Sequence, residues 1–533
     1  MKQKCIGLLD FNDVRHSLEV LLNGYYGSFN FNEDFFNEAF ANFESMEEFE
    51  KSISKIHERS TDQKENGVFY TPVDVCDYIV YNSVHSLYCK SKTDLLDCNL
   101  LFKWFIDKNV ALDFVFNKTV FDPTSGTGEF LVSVLKLKFK LLESVRETIT
   151  IDDVIKVLST ISGNDIDSDA NNISKIRLFI QAALFLKNCD DSIAHAIKDS
   201  FTTFDFLTIK KEDLNSFDLI IGNPPYVERT RVSKYGNIYA DVIENASHFI
   251  NENGVMGFII PLSYVATPRM NGIRNAIECT FSKQLIANYS DRPASLFTRV
   301  HQKLTILIAT NSSEQKGIYV SNYKYFYRET RQSIFKPKEL VKLPRDYGFY
   351  PKVGSETELT IFNKVYGGEP FNFDNLKQKD GLPVYLNMRG FFWNKAFTFN
   401  PGSSEYKEFR FSPEMRNYIL CLMNSSLFWF YWVVMSDCWH ITGRELSSFS
   451  VKAGKEIDYK QFDCLAKELE EKLEETKVYI GSVQTEYAYK HKCCKNIIDK
   501  IDDALAAIYK LNKQELIKVK NYALKYRVGK DNE

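Results

Sequence analysis

The sequence predicts an α/β fold built on a doubly wound sheet, and three stretches predict it. An apolar run at residues 219–221 has the pattern of a buried strand, and it ends at a glycine, an asparagine and two prolines. A second strand pattern precedes a glycine-rich loop at residues 122–128, and a third, at 161–164, leads into acidic residues. Since ligands of such sheets sit beyond the carboxyl ends of the strands, we expect the functional residues there.

The chain length and net charge indicate a protein of several domains without a strong overall charge. A chain of 533 residues is too long for one core and predicts about two to four domains. Its formal net charge is −3, so binding to a nucleic acid would depend on a local basic surface. No run approaches the roughly 18 apolar residues of a membrane span, and 11 scattered cysteines favour free thiols over zinc ligands. We expect a cytoplasmic protein with no membrane span and no metal site.

The chain before the glycine-rich loop has helical spacing. Residues 1–66 predict a helical N-terminal extension. Tyr70-Thr71-Pro72 then precedes a second helical pattern, with Thr71 as the expected N-cap and Pro72 as the first helical residue. The free backbone N–H groups of such a helix start suit a carboxylate or hydroxyl ligand, although a plain capped helix has the same pattern.

The glycine-rich loop joins a predicted strand to a predicted helix. Asp122 and Thr124 stand before Gly126 and Gly128, whose missing side chains let the backbone come close to a ligand. The third glycine of a dinucleotide fingerprint is absent, because Leu131 occupies that position. A redox dinucleotide is therefore the disfavoured alternative.

Acidic residues follow the next predicted strand. A carboxylate at Asp165 can accept hydrogen bonds from both hydroxyls of a ribose, and Asp167 is expected to cap the following helix. Further on, Asp205 and Phe206 place an acceptor next to an aromatic ring. A loop acid beside a core phenylalanine would show the same spacing.

The turn Asn223-Pro224-Pro225-Tyr226 suits a planar amine. The exocyclic nitrogen of adenine is a weak nucleophile because its lone pair is delocalised into the ring. The side-chain oxygen of Asn223 and the backbone carbonyl of Pro224 can accept both N–H groups and localise that pair, while Tyr226 stacks on the base. This chemistry needs neither a metal nor a covalent nucleophile. Asn-Pro and Pro-Pro also occur in turns without any catalytic role.

The same turn resembles the catalytic motif of S-adenosylmethionine-dependent amino-methyltransferases, in particular the gamma-class DNA adenine-N6 methyltransferases of restriction-modification systems. The resemblance covers roughly residues 67–312, with the cofactor region before the catalytic turn as in that class. It implies a Rossmann-like methyltransferase domain, S-adenosyl-L-methionine as cofactor and a target adenine flipped out of double-stranded DNA, clamped by Tyr226 and Phe297. The cofactor contacts that it implies are Tyr70, Thr71, Pro72, Asp122, Thr124, Gly126, Gly128, Asp165, Asp205 and Phe206.

The downstream half resembles, more loosely, the target-recognition part of restriction-modification enzymes. Arg229 and Arg231 form a basic loop that can follow DNA phosphates. His440 and Arg444 are candidate DNA contacts in a loop rich in hydrogen-bonding side chains. A solvated loop and a structural hydrogen-bonding loop are the respective alternatives.

We therefore predict four parts of the chain. They are a helical extension (1–66), a methyltransferase domain (67–315), a mixed α+β target-recognition domain (316–457) and a helical C-terminal region (458–533). The expected function is site-specific methylation of adenine N6 in double-stranded DNA within a restriction-modification or phage-defence system, with a separate restriction endonuclease or other defence subunits as partners. A methyltransferase acting on RNA or a protein glutamine amide, or a non-catalytic DNA-binding subunit, is the alternative.

Overall fold

The computed structural model describes most of the chain from residue 70 onwards. The described residues are 48, 50, 70–105, 107–188, 190–228, 233–297, 301–369, 371–481 and 486–529. The predicted N-terminal extension therefore lies, apart from Glu48 and Glu50, outside the described residues, as do Arg229 and Arg231.

A nine-stranded sheet forms the centre of the described structure. In chain order its strands are β1 (Val120–Asp122), β2 (Ile161–Asn164), β3 (Phe201–Thr202), β4 (Phe217–Gly222), β5 (Ile250–Pro261), β6 (Lys283–Tyr289), β7 (Leu304–Thr310), β8 (Gly317–Lys324) and β9 (Val341–Lys342). Across the sheet the order is β3-β2-β1-β4-β5-β7-β6-β8-β9. The first five strands are mutually parallel, and β7 lies antiparallel between β5 and β6. Because the strand order reverses between β1 and β4, a crevice is expected at their carboxyl ends.

Helices cover both faces of this sheet. They are α1 (Val73–Tyr88), α2 (Cys98–Trp104), α3 (Lys108–Phe116), α4 (Glu129–Val145), α5 (Ile151–Leu158), α6 (Ser168–Leu186), α7 (Asp191–Lys198), α8 (Ile238–Ser247), α9 (Ser263–Ala266) and α10 (Asn271–Thr280). Leu219 and Ile221 of β4 share a core with α4 and α6, whereas Ile220 belongs to the core that contains α8 and α10. A sheet with helices on both faces confirms the predicted α/β class.

The helix starts show where local sequence rules held. Asp167 accepts hydrogen bonds from the backbone N–H groups of Asp169 and Ala170, so the predicted cap of α6 is confirmed. The predicted cap at Thr71 is wrong. The helix begins one residue later, Pro72 occupies its N-cap position without a side-chain cap, and the Thr71 hydroxyl bonds to a distant residue instead.

The large sheet continues past residue 315, where we predicted the methyltransferase domain to end. β8 pairs in parallel with β6, and β9 pairs with β8. The sheet therefore extends into the predicted target-recognition region, because the edge of β6 is covered by a strand from the next segment of the chain. The division into domains stays a prediction.

A smaller antiparallel sheet and a helical layer follow. The strands are β10 (Leu382–Asn387), β11 (Ala396–Phe397) and β12 (Tyr406–Phe411), and the helices are α11 (Glu356–Val365), α12 (Pro413–Asn424), α13 (Ser426–Met435) and α14 (Gly443–Ser448). All ten residues of α13 are buried. Among the described residues no single helix has the length and apolarity to cross a membrane, and only α12 and α13 together, bent by 60°, meet that test.

The end of the chain packs against this layer. Its elements are α15 (Tyr459–Thr476), β13 (Val478–Tyr479), β14 (Tyr487–Ala488), α16 (Lys495–Ile508), α17 (Lys513–Asn521) and α18 (Leu524–Val528). α15 and α16 pack on α12, and α17 packs on α11 and α13.

Candidate active site

The catalytic turn and the glycine-rich loop meet at the carboxyl ends of β4 and β1. These strands pair in parallel, with Val120 opposite Leu219 and Phe121 opposite Ile220. A Cβ added to Gly222 would lie 2.6 Å from Asp122 Oδ1, so only glycine lets the two strand ends approach this closely. The structure therefore brings together the motifs of residues 122–128 and 223–226.

The glycine-rich loop holds its shape through two left-handed glycines. Gly126 has a φ of 51° and Gly128 a φ of 84°, and Gly128 is the N-cap of α4. A Cβ on Gly128 would lie 2.8 Å from Ser174 Oγ, and that hydroxyl donates to the Gly126 carbonyl at 2.8 Å. The loop thus needs glycine for both its conformation and its packing on α6.

The predicted ribose ligand, Asp165, lies against this loop. Its Oδ2 accepts from the Gly126 N–H at 2.8 Å, and its Oδ1 accepts from the Asp167 N–H at 2.9 Å. Asp122 is fully buried close by. Burial, reinforced by the neighbouring Asp165 carboxylate, raises the pKa of Asp122 well above its usual range.

Two asparagines that sequence reasoning missed tie these loops together. Asn164 donates from Nδ2 to the carbonyls of Pro123 and Phe204, both at 3.1 Å. Asn171 donates to the Thr202 carbonyl at 2.7 Å and accepts from Ser125 Oγ at 3.3 Å. Asparagine as the last residue of a strand, or in the first turn of a helix, is a weak sequence signal for such a role.

Arg177 is a further residue that the sequence patterns did not single out. It is buried in α6 and donates to the Thr127 carbonyl at 2.7 Å, to Glu50 Oε1 at 2.7 Å and to Glu129 Oε1. Burial and the Glu129 carboxylate raise the pKa of nearby Tyr70. Arg177 therefore links the glycine-rich loop to the segment at Tyr70.

Asp205 and Phe206 lie beyond β3, on the chain that returns to β4. Asp205 is exposed and accepts from the Leu207 N–H at 3.0 Å. Phe206 is buried, and its ring packs at 6.0 Å from that of Phe121. Ile166, which the sequence reading passed over, leaves 71% of its surface exposed beside Asp165 and offers an apolar face on that loop.

Asn223 is held by a residue from a distant part of the chain. Its Nδ2 donates to Thr71 Oγ1 at 2.9 Å, and Thr71 is buried. Because the amide nitrogen makes this bond, the opposite end of the amide group is its acceptor oxygen. Asn223 is half-buried and Pro224 is buried, and the Oδ1 atom of Asn223 is itself buried.

The rings of Tyr226 and Phe297 are paired. They are nearly parallel, at 15°, with centroids 6.5 Å apart. This separation lies within the roughly 4.5–7 Å found for aromatic rings in contact. The Tyr226 hydroxyl donates to the Ile259 carbonyl at 3.0 Å, and burial raises its pKa well above the usual range. That hydroxyl therefore serves to orient the ring.

Of the candidate DNA contacts, His440 and Arg444 belong to the described residues. Arg229 and Arg231 are outside the described residues. His440 is exposed, whereas Arg444 donates to the Ala266 carbonyl at 2.6 Å and to Glu445 at 2.7 Å. Arg444 thus joins α14 to the end of α9.

Comparisons with known proteins match the region that contains this site. Residues 159–296 match the family described as Eco57I restriction-modification methylase. A putative type II restriction enzyme and methyltransferase of Methanocaldococcus jannaschii is 28% identical over 170 residues, covering 30% of this chain and 14% of that protein. The methylase subunit of the type I restriction enzyme MpnII of Mycoplasma pneumoniae is 22% identical over 301 residues, covering 52% and 47%. The chain therefore spans less than half the length of each of these two relatives.

A solved structure shares the fold over most of the chain. The type IIL restriction-modification enzyme MmeI, in complex with DNA, aligns with a TM-score of 0.53 over 87% of this chain and 79% of its own, at 12% identity. The family match includes the catalytic turn at 223–226 and ends one residue before Phe297. The relatives in sequence are thus restriction-modification proteins, and the solved structure shows a shared fold.

Proposed function

We propose that this protein is a site-specific DNA adenine-N6 methyltransferase that uses S-adenosyl-L-methionine and acts on an adenine flipped out of double-stranded DNA. The observation that carries the proposal is the pairing of an anchored amide with two parallel aromatic rings. Asn223 is fixed by Thr71, and Tyr226 and Phe297 stand 6.5 Å apart in the same region. A planar heterocycle with an exocyclic amine fits both features.

The residues present fit the proposed cofactor. The left-handed glycines of the loop at 126–128 open the backbone to a ligand, and Asp165, adjoining Gly126, is a carboxylate suited to ribose hydroxyls. The exposed Ile166 and the Asp205 carboxylate would contact the adenine of the cofactor. The segment 70–72 would contact its methionine part. When bound, the cofactor would supply a methyl group on a sulfonium, from which a neutral thioether is a good leaving group.

The roles of the protein groups follow from their geometry. Tyr226 and Phe297 hold the flipped base in one plane, so that the edge that carries its amine lies against the turn at 223–226. Asn223 Oδ1 and the Pro224 carbonyl accept hydrogen bonds from the two N–H groups of the amine. These bonds localise the nitrogen lone pair away from the ring. Pro225 stiffens the turn, so little reorganisation remains when the base arrives.

The function is tested by offering three substrates in parallel. The purified protein is incubated with methyl-labelled cofactor and unmethylated duplex DNA, RNA or a mixed protein extract, and the modified group is identified by mass spectrometry. We expect N6-methyladenine in duplex DNA. Label in cytosine, in RNA or in a glutamine amide would contradict the proposal. Mapping the modified adenines in cells that express the protein would then give the recognition sequence, and with it a test for a restriction endonuclease partner.

We expect Thr71 to act as a positioning residue for Asn223. Thr71→Val removes the hydroxyl that holds the amide, and loss of one such bond, about 1–3 kcal/mol, predicts a fall in kcat of roughly ten- to a hundredfold. Thr71→Ser keeps the hydroxyl and is expected to keep most of the activity. Both variants are measured for kcat and, by calorimetry, for cofactor affinity. A Thr71→Val variant that loses cofactor affinity but not kcat would assign this side chain to the cofactor alone.

A further inference from the structure

Two loops of the downstream half are joined into one rigid surface. The loop at 388–392 and the loop at 437–441 are connected by a hydrogen bond from the Ile441 N–H to the Met388 carbonyl at 2.8 Å. A second runs from the Gly390 N–H to the Trp439 carbonyl at 3.2 Å. A Cβ on Gly390 would overlap the ring of Trp432, so the first loop sits tightly on α13.

This surface exposes aromatic and basic side chains together. We call Arg292, Arg389, Phe391, Trp439 and His440 the aromatic-basic ridge; all five are exposed and line one shallow cavity of about 130 Å³. Phe391 is 47% and Trp439 43% exposed. Large aromatic rings exposed side by side are unusual for a surface that only meets water.

The ridge is held in place from beneath. Trp429 Nε1 donates to the Phe391 carbonyl at 2.7 Å. Lys303 lies buried with its Nζ 3.1 Å from the centroid of the Trp439 ring and 3.3 Å from Asp291 Oδ1. These contacts hold the Phe391 backbone and the Trp439 ring in place before any partner arrives, which lowers the entropic cost of binding.

The ridge carries two exposed arginines on a chain whose formal net charge is −3, and each lies near a carboxylate, with Arg292 Nε 4.0 Å from Asp291 Oδ2. The Arg292 guanidinium lies 5.5 Å from the Phe391 ring, with half of its side chain exposed. Arg389 is similarly exposed and has Glu405 at 3.4 Å. Asp291 is buried and paired with Lys303, and the Asp437 carboxylate accepts from the Trp439 N–H. Two arginines therefore remain at the surface beside the two rings.

The ridge lies at the same edge of the large sheet as the catalytic turn. Pro261 at the end of β5 pairs with Leu304 at the start of β7, and Tyr289 at the end of β6 pairs with that same residue. The β6–β7 connection thus carries Arg292 of the ridge and Phe297, whose ring is paired with that of Tyr226. Being five residues apart, these two lie within about 18 Å of each other.

We propose that the aromatic-basic ridge binds the DNA duplex next to the flipped adenine, with Arg292 and Arg389 on phosphates and with Phe391 and Trp439 against base or sugar faces. The inference rests on the proposed function, since it assigns the surface that holds the substrate of that same site. A duplex opened at one base offers both the phosphate charge and the unstacked faces that such a surface can use.

The test measures binding of a fluorescein-labelled duplex by anisotropy between about 50 and 200 mM salt. The duplex carries a site that the wild-type protein methylates. Arg292→Ala and Arg389→Ala are each expected to weaken binding and to lower the salt slope by about 1. Phe391→Ala and Trp439→Ala are expected to weaken binding about tenfold with an unchanged slope.

Matched controls come from exposed residues outside the ridge. Tyr479→Ala and Arg410→Ala remove an aromatic ring that is 66% exposed and an arginine whose side chain is 45% exposed, and both are expected to bind DNA like the wild type. Thermal unfolding and cofactor affinity are compared for every variant. Ridge variants that fold and bind the duplex with wild-type affinity would overturn the inference while leaving the proposed function intact.

Failure of the proposed function has a different signature. A wild-type protein that methylates no DNA overturns that function, and the ridge is then tested with a random-sequence duplex, which offers the same phosphates and base faces. Wild-type affinity of the ridge variants for that duplex, or no binding by any of the proteins, would also overturn the inference about the ridge.

Discussion

Asn223→Ala is expected to lower the rate of methyl transfer by about 10³-fold or more, while the affinity for S-adenosyl-L-methionine stays at the wild-type level. The substitution removes the oxygen that accepts a hydrogen from the amine, and preorganised groups of this kind contribute about 10²–10³ each in other enzymes. It also leaves the Thr71 hydroxyl without its donor. The measurements are single-turnover transfer of labelled methyl and calorimetric titration of the cofactor.

The control separates this effect from a general loss of structure. Asn400→Ala changes an exposed asparagine whose side chain accepts a local bond from the Gly402 N–H, and we expect it to transfer methyl like the wild type. Transfer by Asn223→Ala at more than a tenth of the wild-type rate would remove Asn223 from the proposed chemistry, whatever the cofactor affinity.

Arg527→Ala is expected to cost about 3–5 kcal/mol of the free energy of unfolding, the range found when one partner of a buried charged network is removed. Arg527 is buried in α18, with its guanidinium 3.9 Å from the Trp393 ring and 4.3 Å from the Trp429 ring. Its Nε donates to the Phe392 carbonyl at 3.0 Å. Burial lowers the pKa of Arg527 to about 10, which leaves it charged at neutral pH.

Urea unfolding followed by tryptophan fluorescence checks this value. Arg527→Lys keeps the charge but not the planar group that stacks between the two indoles, so it is expected to lie between wild type and alanine. The exposed pair of Arg410 with Glu408 provides the contrast, because Arg410→Ala should cost no more than about 1 kcal/mol. A cost below about 1 kcal/mol for Arg527→Ala would contradict the assigned role.

Loss of the Arg527 side chain is also expected to affect the aromatic-basic ridge. The Phe391 carbonyl is held by Trp429, and the next carbonyl, of Phe392, is held by Arg527. We therefore expect Arg527→Ala to weaken DNA binding at temperatures where the protein is still folded. The last described helix of the chain thus supports a loop well over a hundred residues earlier, which no local pattern indicated.

Sequence patterns predicted the elements around the site closely. The apolar run at 219–221 lies in β4 (Phe217–Gly222), and the strand before the glycine-rich loop is β1. Strand and helix periods, glycines and prolines act over a few residues, which is why they can be read locally. The predicted N-cap at Thr71 was wrong because the local pattern is compatible with a helix that begins at either Pro72 or Val73. The continuation of the large sheet into β8 was not predicted, because β8 joins the sheet by pairing with β6, a contact that the sequence of β8 does not encode by itself.

By itself the sequence determined which residue types stand at the ends of the strands, and therefore that two glycines, an acid and an Asn-Pro-Pro-Tyr turn face one crevice. Only the tertiary structure decided their partners: Thr71 for Asn223, 152 residues apart, and Phe297 across from Tyr226. The physical reason is that backbone preferences act between neighbours in the chain, whereas hydrogen bonds and ring contacts between distant segments exist only once the core has packed.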